Sequence, residues 1–123
     1  MKDPSSSTNL HQAAMERTQE AVLAQDPGVA RDLFRQALDL ERRAAEVWME
    51  TRNEEPSRSI LLRSAASLAW SCQDYAEAER LARKGLEGRP PGKIAQELKE
   101  LLGLIHREES SPEAPQRRRS LGK

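Results

Sequence analysis

A chain of 123 residues has room for one small domain, and 37% hydrophobic against 33% charged residues suits a helical bundle with a thin core, not a large enzyme. Twenty Lys and Arg balance twenty Asp and Glu, so no overall field draws the chain to nucleic acid or to an anionic membrane. The N-terminus has no basic segment leading into an apolar run, and no stretch approaches the roughly 18 apolar residues of a membrane span, which reads as a cytoplasmic protein.

One Phe, one Tyr and two Trp leave the filling of the core to Leu and Ala. The single Cys72 rules out an internal disulfide and a multi-cysteine metal site. It falls on the apolar side of an expected helix, with no His or Lys beside it to depress its pKa, and reads as a buried structural thiol.

In chain order, residues 1–9 form a polar, Ser-rich leader. Asn9 offers an N-cap with Gln12 as its capping-box partner, so the first helix is expected over residues 10–25, with a weak stripe of Leu10, Ala14, Ala21 and Ala24. The turn Asp26-Pro27-Gly28 opens the longest helix, residues 29–51. Leu33, Ala37, Leu40, Ala44, Val47 and Trp48 recur along it at helical spacing, a rod of roughly 30 to 35 Å.

Asn53-Glu54-Glu55-Pro56 breaks the rod, and Pro56 suits the first position of a third helix over residues 57–72. Leu61, Leu62, Ala65, Leu68, Ala69 and Cys72 share one side of it. Asp74 as N-cap and Glu77 as capping-box partner start a fourth helix through Ala78, Leu81, Ala82 and Leu86, stopping near Gly88 and Pro90. So short a turn between helices makes an antiparallel hairpin. Pro90-Pro91-Gly92 introduces a fifth helix whose Ile94, Leu98, Leu101, Leu102 and Ile105 form the cleanest amphipathic stripe. It reads as a cap over the preceding hairpin, with donation to a partner as the alternative. Residues 108–123 hold no core and are expected to be disordered.

Two stretches, Ala30-x3-Phe34-x2-Ala37 and Ala78-x3-Ala82-x2-Gly85, carry small residues at the same spacing, and the second follows Gln73-Asp74-Tyr75-Ala76-Glu77 and ends at Pro90. This resembles the tetratricopeptide repeat, a helical hairpin of 34 residues. The second hairpin matches over residues 59–90, with Ala66, Ala78 and Gly85 at the small positions and Ala82 where the family has a large side chain. The first, residues 11–42, matches less well: Thr18 replaces a small residue and Arg42 stands at the expected proline. Ala30 and Ala78 are 48 residues apart instead of 34, and the stripe through Val47 and Trp48 assigns the excess to an extension of the second helix. The resemblance, which extends to uncharacterised bacterial proteins of this type, implies an all-α domain over residues 10–107: tetratricopeptide-like antiparallel hairpins, five helices, an overlong second helix and a C-terminal capping helix.

Ligands of that family lie in the groove lined by the first helix of each hairpin. The resemblance carries the groove to Ile60, Arg63, Ser67, Trp70 and Ser71. Trp70 lies off the apolar stripe and is the residue type that anchors partners, or else it packs under the long helix. Arg58 and Arg63 offer planar recognition of a partner's carboxylate, or pair internally with Glu54, Glu55 or the acidic residues of the long helix. The family's carboxylate clamp of Lys and Asn residues is absent, which argues against a chaperone-tail ligand.

No catalytic, cofactor-binding or metal-binding set emerges: His11 and His106 stand near opposite ends of the domain, neither has zinc-ligand spacing, and there is no phosphate loop or nucleophile elbow. The function expected is a non-enzymatic protein-protein interaction module, an adaptor or scaffold that binds a peptide or helix of a partner protein, without a small-molecule substrate. The alternative is a self-association domain that uses Val47, Trp48 and Met49 of the long helix. A third reading, nucleic-acid contact through Arg117-Arg118-Arg119-Ser120, is weaker because duplex binding takes about 6 to 10 phosphate contacts. The same four residues resemble a basophilic kinase site.

Overall fold

The computed structural model describes residues 6–110, which form α1 (Ser7–Leu23), α2 (Pro27–Thr51), α3 (Ser57–Ser71), α4 (Tyr75–Glu87) and α5 (Gly92–Glu109), with no strand among them. The remaining residues, including Arg117 to Ser120, lie outside the described residues. Each helix packs on its neighbour in sequence, and α5 also touches α3.

The first helix begins earlier than its sequence suggests. Ser6, not Asn9, is the N-cap, and its side chain accepts from the Asn9 N–H at 3.2 Å. Several residues in the run from Ser5 to Asn9 are able to cap. Tertiary contacts decide among them, because starting at Ser7 lets its hydroxyl donate to the Ala44 carbonyl of α2 at 2.9 Å and sets Leu10 into the core. Residues 7–9, expected in the leader, are therefore helical, and at the other end α5 runs on to Glu109.

Asp26 caps α2 by accepting from the Gly28 N–H, and Pro27 occupies the first turn, where its missing N–H costs nothing. Its 25 residues span about 37 Å. The buried face is Ala37, Leu38, Glu41, Ala44 and Ala45, broader than the expected stripe because α2 is covered by α1 and by α3. Leu33, Leu40, Val47 and Trp48 flank that face and are half-buried.

Pro56 sits at the cap position of α3, one residue before the helix, and Cys72 follows its end. Gln73 turns the chain with a left-handed backbone, φ 66°. Asp74 then caps α4 by accepting from the Glu77 N–H. The reciprocal half of the expected capping box does not form. The Asp74 N–H goes back to the Ala69 carbonyl, and the Glu77 carboxylate is held by Arg42 of α2 and by Arg80. A second bridge, Arg35 to Asp74, ties α2 to the start of α4. The core then runs from Leu10 through Leu38, Leu62, Leu81 and Leu98 to Ile105, with Ala66, Ala78 and Ala82 letting the helices approach closely.

Candidate functional site

The first turns of α1 and α3 stand on either side of the C-terminal part of α2 and leave a crevice of about 230 Å3 between them. Ser7, Thr8 and His11 of α1 form one wall, Ser57, Ile60 and Leu61 of α3 the other, and Trp48 of α2 contributes its ring. Trp48 is fixed there, since its indole N–H donates to the Glu54 carbonyl at 2.9 Å and Arg52 lies over the ring at 5.4 Å. Neither α1 nor α3 has an acidic residue in its first turn, so no exposed carboxylate from those turns faces the opening.

Behind His11 stands Glu41, whose side chain is 0% exposed against 42% for the imidazole. Both carboxylate oxygens lie on His11 Nδ1, at 2.9 and 2.8 Å. A buried carboxylate costs several kcal/mol unless it is paired and hydrogen-bonded. His11 is therefore held in orientation through Nδ1 by the Glu41 carboxyl group. The second nitrogen, Nε2, has no hydrogen bond among the described residues.

The expected partner-binding residues are distributed differently. Arg63 is half-buried and pairs with Glu97 of α5 at 2.9 Å. Arg58 turns to α4, where Nη2 donates to the Lys84 carbonyl and Nη1 is buried without a hydrogen-bond partner among the described residues. Five residues on a helix are about 140° apart around its axis, so the two guanidinium groups do not converge. Glu55, a suggested partner for Arg58, instead accepts from the Ser59 and Arg89 N–H groups. Trp70 is half-buried against the core and meets Tyr75 with ring centroids 5.2 Å apart. Ser67 and Ser71 are exposed, the Ser71 hydroxyl donating to the Ser67 carbonyl. With Ile60 they make an outward strip along α3 that leads away from the crevice.

Val47, Trp48 and Met49, the residues expected to serve self-association, are each partly buried and packed against the core. Among the described residues, the large apolar side chains that do face solvent are Val22, Leu23, Val29 and Leu104. Cys72 is buried, and burial pushes its thiol above the ordinary range, with Arg35 opposing. No group of three or more His, Cys, Asp and Glu side chains among the described residues is placed to hold a metal, and no helix there is long and apolar enough to cross a membrane.

His11, Glu41 and Thr8 were missed by sequence reasoning. A signal for Glu41 exists: it stands four residues after Ala37 and three before Ala44, within the buried phase of α2. Compared with protein-family models, curated proteins and solved structures, the chain gives no match.

Proposed function

We propose that this chain is a non-enzymatic protein-protein interaction module, a tetratricopeptide-like adaptor that takes a peptide or helix of a partner between α1 and α3 and along the outer strip of α3. The observation that carries this reading is the crevice itself. It lies between the first helices of two successive hairpins, where the resemblance puts the ligand groove, and it combines apolar surface from Trp48, Ile60 and Leu61 with hydroxyls and an imidazole on the walls. Binding pockets commonly pair an apolar lining with a few placed polar groups.

Affinity would come from burying an apolar anchor of the partner in the crevice, with Ile60, Ser67 and Ser71 guiding the rest of the segment. Arg63, already engaged by Glu97, contributes by exchanging that carboxylate for one on the partner.

The test is affinity capture by the full chain in three forms: unaltered, Ile60→Glu in the crevice, and Arg83→Glu on the exposed face of α4. Losing an anchor typically costs about 2 kcal/mol or more, roughly thirtyfold in affinity. Ile60→Glu should lose the partner that the unaltered chain retains, with helix content unchanged by circular dichroism, while Arg83→Glu keeps it. Undiminished capture by Ile60→Glu would rule the crevice out.

A further inference from the structure

We infer that Glu97 of α5 is a built-in competitor for the ligand: it occupies Arg63 at the place where a carboxylate of the partner docks. The segment this domain takes is then acidic beside its apolar anchor, and it displaces Glu97 to seat fully. This rests on the peptide-binding reading above and names the chemistry of the ligand and a restraint on its entry.

Charge selects the ligand. From Ser57 to Ser71, α3 carries two arginines and no acidic residue. Arg58 is turned to α4, so Arg63 is the one charged side chain left on the outward side of α3. It stands three residues after Ile60, and side chains at that spacing are neighbours on one helix face. The residues that line the crevice include no Asp or Glu. Glu41 lies buried behind His11, Glu54 meets Trp48 through its backbone carbonyl, and Glu55 is held by the Ser59 and Arg89 N–H groups. A ligand anchored at Ile60 therefore passes a guanidinium whose paired carboxylate, among the described residues, is Glu97.

Geometry makes Glu97 displaceable. A guanidinium and a carboxylate in full engagement make two parallel hydrogen bonds. Arg80 and Glu77 do so, Nε on Oε1 and Nη2 on Oε2, both at 2.7 Å. Arg63 gives Glu97 one, from Nη1 to Oε1 at 2.9 Å. The Glu97 side chain is 40% exposed, against 14% for the Glu77 carboxylate that ties α2 to α4. A one-point pair open to water and salt contributes little to the fold. A ligand carboxylate that engages both prongs of the guanidinium binds it more tightly than Glu97 does.

The place of α5 does not depend on the bridge. Ile94, Leu98, Leu101 and Ile105 bury its inner face in the core, and it packs on both α3 and α4. Breaking the pair frees Arg63 without releasing the helix.

Three pools of short peptides serve as probes for the full chain. Each peptide carries one leucine and, within a few positions of it, glutamate in the first pool, glutamine in the second and lysine in the third, the other positions being varied among uncharged residues. The unaltered chain should bind the glutamate pool about threefold more tightly than the glutamine pool, and Glu97→Gln should widen the ratio to about tenfold, since a charge-assisted hydrogen bond no longer has to be exchanged. Arg63→Gln should erase it. The exchange Arg63→Glu/Glu97→Arg keeps an ion pair between α3 and α5, and with it the fold, and should turn the preference to the lysine pool. A bridge that only ties the helices together would leave every ratio unchanged. Equal binding of the glutamate and glutamine pools, a ratio that Glu97→Gln does not widen, a preference that survives in Arg63→Gln, or no binding of any pool at about 1 mM peptide would each overturn the inference. If Ile60→Glu still abolishes partner capture while the pools bind alike, the groove stands and Glu97 as its competitor falls.

Discussion

Gly85 of α4 approaches Leu98 of α5 so closely that a Cβ at position 85 would lie 2.9 Å from Leu98 Cδ1 and 3.5 Å from Leu62 Cβ. Leu98 is fully buried and has little space to yield. Two effects compete in Gly85→Ala. Helix propensity favours alanine by about 1 kcal/mol, and overpacking costs about 1 to 3 kcal/mol, so the variant should be less stable. Gly103, also helical, has only Arg107 Nη1 at 3.7 Å near its virtual Cβ, so Gly103→Ala should gain up to about 1 kcal/mol. Thermal melting separates the two. A domain of this size shifts by about 4 to 8 °C per kcal/mol, and equal shifts would mean that α4 and α5 are not in this contact.

Ala78 is fully buried and Ala76, two residues before it, is exposed. Ala78→Leu should destabilise by about 1 to 3 kcal/mol, because three more carbons must enter a close helix contact. Ala76→Leu should change little. Matched melts of both variants check the phase of α4, and an unchanged melting temperature for Ala78→Leu would place that residue on the surface.

Glu77 joins three helical turns by electrostatics. Its hydrogen bond from Arg80, aided by Arg42 and opposed by burial, holds the carboxyl below the usual range. Because the folded value is the lower one, this stabilisation is present above the ordinary carboxyl range near about pH 4.3 and is lost as pH falls through the folded value. Melting temperature followed from pH 6 downward should fall less steeply for Glu77→Gln than for the unaltered chain. Parallel curves would contradict the bridge between α2 and α4.

Cys72 should resist thiol reagents at neutral pH, since burial first of all raises its thiol and only Arg35 and hydrogen bonds oppose. Modification should follow unfolding, speeding up in denaturant at the midpoint of loss of helicity. Rapid labelling of the native chain would mean that the α3–α4 turn opens locally.

The breaks between helices were readable because each rests on local chemistry: Asp26-Pro27-Gly28, Pro56, Asp74 and Pro90-Pro91-Gly92 all mark junctions of the observed elements. The length of α2 was also readable, from an apolar pattern that continues to Trp48. Choices settled by distant contacts were not. Ser6 displaces Asn9 as a cap because Ala44 and the core reward the earlier start, and Leu38, Glu41 and Ala45 are buried because α2 is covered on two sides.

The site suffers from the same limit. His11 and Ile60 are far apart in sequence and face one crevice only because α1 and α3 both lean on α2. Arg58 and Arg63 looked paired in one dimension and diverge around the helix to α4 and α5. Trp70 was left between groove and core by its phase, and the ring of Tyr75 draws it inward.

The central claim is that a partner protein lies in the crevice between α1 and α3, and site-specific photo-crosslinking tests it most directly. The full chain would carry a photoreactive residue either at Ser57, on the crevice wall, or at Arg83, on the exposed face of α4, and each form would be mixed with the partner retained by the unaltered chain. Crosslinking from position 57 and not from 83, abolished by adding Ile60→Glu, is the result expected. Crosslinking from position 83 alone would put the partner on α4 and contradict the account.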